Sequence, residues 1–242
     1  MYDDVRIIYI ETNSGHPDNE RFLKECERWY GQPIERWHNG KYKDVEDVLI
    51  RKKFINGPSG AACTSALKTS VRYMIQDSLG KWDGQVWGFD FCKREINRAI
   101  RFKEQNPQTK PLFPLIELGI TKQDALGILW KAKIEIPKMY QLGYANNNCI
   151  GCVKGGIGYW NKIRRDFPES FKRMAEIERI VGATCLKDDN GHIWLDELDP
   201  NRGDKVEPIT IQCGIICEIE FADIMDSRTK QIMDGTLNIN QI

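Results

Sequence analysis

Four cysteines in the second half of the chain have the types and spacing for metal or redox chemistry: Cys149 and Cys152 in a CxxC, Cys213 and Cys217 in a CxxxC. A CxxC on a glycine-flanked turn lets two thiolates converge on one ion, and a second close pair completes a four-sulfur set. Such a set suits tetrahedral zinc or a [4Fe–4S] cluster. The competing reading is packing, in which Cys213 sits in an apolar strand as a small hydrophobe.

A second group of residues suits anions. Arg94, Glu95 and Arg98 follow a strand-like run, Gln85 to Phe89. In open α/β sheets ligands bind at the C-terminal edge of the strands. There Arg98 can fork onto phosphate or sulfate oxygens while Glu95 fixes it through an ion pair. The same spacing also describes an ordinary charged helix face. His16 and Glu11 lie in and beside the loop after the first strand, where the alternatives are a nucleotide contact and simple solvation. Lys154, Trp160, Arg164 and Arg165 form a basic and aromatic group close to the CxxC, suited to guiding an anion or to covering a helix surface.

The elements that would position these residues can be read from periodicity. Val5 to Ile10 is a β-branched run that reads as a buried strand. The polar loop Glu11 to Pro17 ends it, and Asp18 to Tyr30 carries an amphipathic helix pattern. A short strand over Pro33 to Trp37 completes a βαβ unit, which implies a parallel sheet. Helical patterns follow over Lys41 to Lys53 and Cys63 to Leu79, and Thr121 is a good N-cap for a helix to about Lys131. Pro137 to Asn148 reads as a loop. Two helices, Tyr159 to Phe167 and Pro168 to Val181, follow the CxxC, and Lys187 to Val206 is turn-rich. The expected fold is α/β with a parallel, doubly wound sheet over residues 1–145. Residues 146–242 would form a small helical, cysteine-containing C-terminal subdomain.

Composition sets bounds. Lys+Arg and Asp+Glu are both 35, so a general nucleic-acid binder, which carries a basic excess, is not expected. No apolar run is long enough to span a membrane, and the first residues lack a signal-peptide pattern. The eight cysteines therefore read as thiols or metal ligands of a cytoplasmic protein rather than as disulfides.

Several separated segments resemble the phosphoadenosine phosphosulfate (PAPS) reductase-like family of the adenine nucleotide alpha-hydrolase superfamily. The strand Arg6 to Ile10 with Glu11-Thr12-Asn13-Ser14-Gly15-His16-Pro17 is similar to the family's second strand and its Asp-Thr-Gly…Pro loop, with Glu for Asp and Asn for the first Gly. Cys63-Thr64-Ser65-Ala66-Leu67-Lys68 resembles its Cys-Thr…Lys segment, and Trp87-Gly88-Phe89 with Arg94-Glu95 and Arg98 resembles its Gly…Glu-x-x-Arg block. Asn148 to Cys152 is similar to the cysteine pair of metal-bearing members, which tilts the metal reading toward iron–sulfur. Gln212-Cys213-Gly214 resembles the tail whose cysteine attacks sulfur in assimilatory reductases, although Gln replaces Glu and no His follows.

The resemblance implies an adenine nucleotide or sulfonucleotide held by Glu11, Thr12, His16, Cys63, Lys68, Arg94, Glu95 and Arg98. It implies metal ligation by Cys149, Cys152, Cys213 and Cys217, and Cys213 as the candidate nucleophile. The implied activity is sulfonucleotide reduction or sulfur transfer, served by a reductant protein. The family's Ser-Gly-Gly-x-Asp-Ser phosphate loop would precede Arg6, where this sequence has five residues. Without that loop, the alternatives are a catalytically silent nucleotide- or partner-binding module and a zinc-stabilised structural subunit. A sheet lacking its first strand would need a second copy or a partner chain to complete it.

Overall fold

The computed structural model describes residues 4–58 and 60–203. Cys213 and Cys217, and with them the expected nucleophile and half of the expected ligand set, lie outside the described residues. In chain order the elements begin with β1 (Ile7–Glu11), α1 (Asn19–Tyr30), β2 (Ile34–His38), α2 (Val45–Lys52), β3 (Asn56–Gly57) and β4 (Gly60–Ala61). A π-helical turn (Thr64–Thr69) leads into α3 (Ser70–Leu79), followed by β5 (Gln85–Val86), α4 (Lys93–Gln105) and β6 (Pro111–Leu112). Then come α5 (Pro114–Glu117), α6 (Lys122–Lys131), α7 (Lys138–Gln141), α8 (Ile157–Asp166) and α9 (Pro168–Val181), and the hairpin β7 (Leu186–Asp188) and β8 (Gly191–Ile193).

The chain is thus mixed α/β, but the described strands form four two-stranded sheets rather than one doubly wound sheet. Their lengths explain this. β5 and β6 are two residues each, bounded by Gly88 on one side and by Pro111 and Pro114 on the other. Proline cannot donate to a ladder and glycine weakens one. Pro137 to Asn148, expected as a loop, contains α7.

The described residues divide into two compact units: residues up to Leu79 together with those from Pro137 onward, and Gly80–Ile136. The composition change had suggested a boundary at 145/146. Packing draws the later segment back to the first unit instead. Val48, Leu49 and Ile55 share one buried core with Trp160, Ile163, Ile177 and Leu195.

In the first unit β1 and β2 pair in parallel from Ile7↔Ile34 to Glu11↔His38, with α1 as the crossover. Leu23 and Cys26 of α1 bury against Ile34. The helix stops at Gly31, whose φ of 70° is the left-handed conformation that glycine adopts at no steric cost. Asp18 starts the helix and reaches far along the chain. It accepts from Arg21 at 2.7 and 2.8 Å and from the backbone N–H of Lys138 at 2.8 Å.

In the second unit β5 and β6 also pair in parallel, with α4 between them. Phe89, Ala99 and Phe113 form its small core. Thr121 caps α6 through a capping box with Asp124, as its position in the sequence predicts. No helix among the described residues is long and apolar enough to cross a membrane.

Asp18 generates a prediction. The Arg21 guanidinium, then the Lys138 N–H, hold its carboxyl below the usual aspartate range despite partial burial. A depressed folded-state pKa contributes stability that is present above the ordinary aspartate range and is lost as pH falls through the depressed value. Asp18→Asn should cost about 1–2 kcal/mol at neutral pH. The gap to wild type should narrow below about pH 4. Thermal unfolding at pH 7 and pH 3 checks both parts.

A candidate thiol site beside the first strand

The loop leaving β1 is held by its own first residue. Glu11 Oε1 accepts from the backbone N–H groups of Thr12 and Asn13, both at 2.9 Å. Asn13 adopts the left-handed conformation, φ 54°, which asparagine tolerates better than most residues. Ser14 Oγ accepts from the N–H that begins α2, at Val45. This loop meets the CxxC turn twice. Thr12 Oγ1 and Cys149 Sγ lie 3.2 Å apart, and the Ile150 N–H donates to the Ser14 carbonyl at 2.9 Å.

The turn itself depends on glycine and tyrosine. Gly151 has φ 69°, and a Cβ there would stand 3.3 Å from the Trp160 ring. The Tyr159 hydroxyl accepts from the Cys152 N–H at 2.8 Å and donates to the Cys149 carbonyl at 3.2 Å. Asn56 of β3 donates to the Val153 carbonyl at 2.8 Å and approaches that of Cys185 at 3.4 Å.

Two further cysteines join the pair. Burial is the main influence that raises the Cys63 thiol, and the charges of Cys152 and Cys149 raise it further. Burial likewise pushes up Cys152, with Cys149 adding to the effect. Cys185 is driven above the ordinary thiol range by burial, then by Glu178, with Cys152 and Cys63 contributing. Cys63, Cys152 and Cys185 thus each sense the charge of at least one other cysteine. Lys68 and Lys154 oppose the trend by stabilising thiolate at Cys63 and Cys152.

Lys68 owes its place to the π-helical turn. The Ser70 N–H donates to the Ser65 carbonyl, a five-residue step. Lys68 lies five residues after Cys63 on this turn, and its charge favours the Cys63 thiolate.

The donor types, four thiols, suit zinc or an iron–sulfur cluster. In their present spacing no three His, Cys, Asp or Glu side chains among the described residues enclose an ion. Neutral thiols have no reason to converge; loss of their protons to a metal supplies one.

Sequence reasoning placed Cys149, Cys152, Glu11, Thr12, Cys63 and Lys68 in functional roles, and the structure sets Thr12, beside Glu11, against Cys149 of the CxxC. Cys63 is half-buried against the core of the first unit, and the charges of Lys68, Cys152 and Cys149 act on it. His16 Nδ1 accepts from the Asp18 N–H at 3.1 Å and packs edge-on to Phe167, a helix-start role. Arg94, Glu95 and Arg98 belong to the second unit. Buried Glu95 pairs with Arg94 at 3.2 Å and Arg98 at 3.1 Å, and Arg98 also covers the Phe89 ring. Trp160 is wholly buried rather than part of a surface cluster.

Cys185 and Glu178 were missed. A signal for Glu178 was present. It falls on the same helical stripe as Phe171, Met174 and Ala175, where an acid is out of pattern.

No family model matches the chain, and no solved structure matches it. Two curated relatives are similar. An uncharacterized protein of Methanocaldococcus jannaschii is 22% identical over 196 residues, 79% of this chain and 39% of the relative. An uncharacterized 37.8 kDa protein from the gpa 5′ region of Escherichia phage 186 is 25% identical over 173 residues, 69% of this chain and 52% of the relative. The chain thus spans about half, or less, of the length of these relatives.

Tyr159→Phe should leave the Cys152 N–H without its acceptor while sparing the packing of the ring. Such a loss costs about 1–3 kcal/mol. Urea unfolding monitored by tryptophan fluorescence should show it as a lowered midpoint with an unchanged slope.

Proposed function

We propose that the chain is a PAPS reductase-like protein that binds an adenine nucleotide or sulfonucleotide and uses its cysteines for sulfur-transfer or reductive chemistry. The observation that carries this reading is the contact of the CxxC turn, through Cys149 and Ile150, with the loop that leaves the first parallel strand. Strand ends of this kind are where α/β proteins bind ligands. Thr12 touches a cysteine sulfur there, and Lys68 and Lys154 supply positive charge to an anion approaching the thiols.

In this reading Cys149 and Cys152 contribute two ligands, with Cys213 and Cys217 as the expected second pair, to a [4Fe–4S] cluster or zinc. The first would supply electrons, the second structural closure. Within the second unit, Arg98, paired with Glu95, is a candidate for phosphate or sulfate oxygens. Among the described residues β1 and β2 pair only with each other. That supports a need for further strands from a second copy or a partner chain, and a stable monomer on size exclusion would count against it.

Two measurements test the reading. Anaerobically purified protein should contain iron and acid-labile sulfide, and Cys149→Ser or Cys152→Ser should each deplete both. One zinc per chain without sulfide would instead favour a structural subunit, and no metal would remove the centre. Calorimetric titration should show binding of ATP or an adenosine phosphosulfate that weakens roughly tenfold in Arg98→Ala, the effect of losing one charge-assisted hydrogen bond. No heat with either ligand would overturn the nucleotide reading.

A further inference from the structure

The second unit holds a cleft that takes no part in the thiol chemistry. Its volume is about 440 Å³, and Gly80, Lys81, Trp82, Asp83, Gln108 and Lys110 line it. That size falls within the range of small-molecule sites. All six residues belong to Gly80–Ile136.

Two short segments form the walls, and hydrogen bonds hold them side by side. The Gln85 N–H donates to the Lys110 carbonyl at 3.3 Å, and Lys110 Nζ donates to the Trp82 carbonyl at 3.3 Å. Gly84 lets the segments close, since a Cβ there would stand 2.8 Å from Leu112 Cδ1 and 3.1 Å from the Lys110 carbonyl oxygen. Lys110 follows the 3-10 turn Pro107–Thr109 in the left-handed conformation, φ 46°, which is uncommon for any residue but glycine. The buried Thr109 anchors that turn by donating to the Asn106 carbonyl at 2.7 Å.

The lining is chemically uneven. The Trp82 indole nitrogen is buried, and no atom among the described residues accepts from it. An indole nitrogen can only donate, and buried donors in folded proteins find partners. Trp160 has a similar unmatched N–H, but it sits wholly inside the core of the first unit. Trp82 instead borders open space. Lys81 and Lys110 set two positive charges against the one negative charge of Asp83. Two ammonium groups and an N–H suit a dianion with several acceptor oxygens, and a phosphate monoester approaches that charge at neutral pH. Asp83 can only accept, whereas Gln108 both donates and accepts, and both suit hydroxyl groups. The apolar face of an indole suits the C–H groups of a sugar ring.

We propose that this cleft binds a small sugar phosphate. The phosphate meets Lys81 and Lys110 and accepts from the Trp82 N–H, and the hydroxyls meet Asp83 and Gln108. The inference stands apart from the proposed function, since neither the cysteines nor Arg98 take part.

The full chain with nitrogen-15-labelled tryptophan, probed with ribose 5-phosphate, supplies the test. Of the seven indole N–H signals, the one lost in Trp82→Phe belongs to Trp82. It should move downfield and saturate as ribose 5-phosphate is added. Calorimetry should show affinity falling roughly tenfold in Trp82→Phe, the effect of one hydrogen bond to a charged group. Lys110→Gln should weaken binding by a similar factor, and added salt should weaken it in the unmodified protein. Inorganic phosphate and ribose alone should each bind more weakly than the joined compound.

No movement of any indole signal in the unmodified protein overturns the proposal, whether or not a variant folds. Movement confined to signals other than that of Trp82 overturns it too. Equal affinity for inorganic phosphate means an adventitious ion only. An unchanged affinity in a Lys110→Gln protein whose indole signals keep their positions also sinks the proposal. Failure of the proposed function is read separately, in the iron, sulfide and Arg98→Ala measurements.

Discussion

The main-chain polar groups of the CxxC turn belong to no helix or strand, and buried N–H and C=O groups must find partners. This constraint organises the first unit. The Ile150 N–H goes to Ser14, the Cys152 N–H to Tyr159, and the Val153 carbonyl takes a proton from Asn56. Three segments far apart in sequence are thereby tied to one short turn. The loop after β1 comes from the start of the chain, β3 from its first quarter, and α8 follows the turn directly. The cysteines sit where these ties cross, so their placement follows from hydrogen bonding before any thiol chemistry is considered.

Burial then shapes the chemistry. A thiol removed from water holds its proton, and a neighbouring charge of the same sign makes it hold harder. Cys63, Cys152 and Cys185 are all pushed in this direction. Lys68 and Lys154 push the other way for Cys63 and Cys152. The site is thus graded rather than uniform. That gradation arises from where the cations and the one buried carboxylate stand, and not from the cysteines themselves.

Much of the local structure was legible in the sequence. The β1–α1–β2 unit follows from a β-branched run, a capped amphipathic pattern and a second apolar run. Thr121 and Asp124 announce α6 through their spacing. The association of elements was harder to read. Pro111, Pro114 and Gly88 shorten the strands of the second unit to two residues, and the weight of several short apolar runs had suggested a continuous sheet. Cys185 carried no local signal, because its companions are 122 residues upstream at Cys63 and 33 upstream at Cys152. CxxxC spacing pointed to Cys213 and Cys217, which lie outside the described residues. Glu178 was visible as an acid on an apolar stripe, but its partners are backbone groups, and those have no letter of their own.

The π-helical turn between Cys63 and α3 has a consequence for how this segment can vary. Each residue of an ordinary helix advances the face by about 100°. The apolar side of α3, with Val71 and Ile75, is buried, while the preceding Cys63 packs against the core of the first unit. The wide turn reconciles these two phases by accommodating one residue more than a regular helix would. Loss of a single residue from Thr64–Thr69 would restore regular winding, yet it would force either the core face or the sulfur out of alignment. This stretch should therefore accept substitution far more readily than any change in its length.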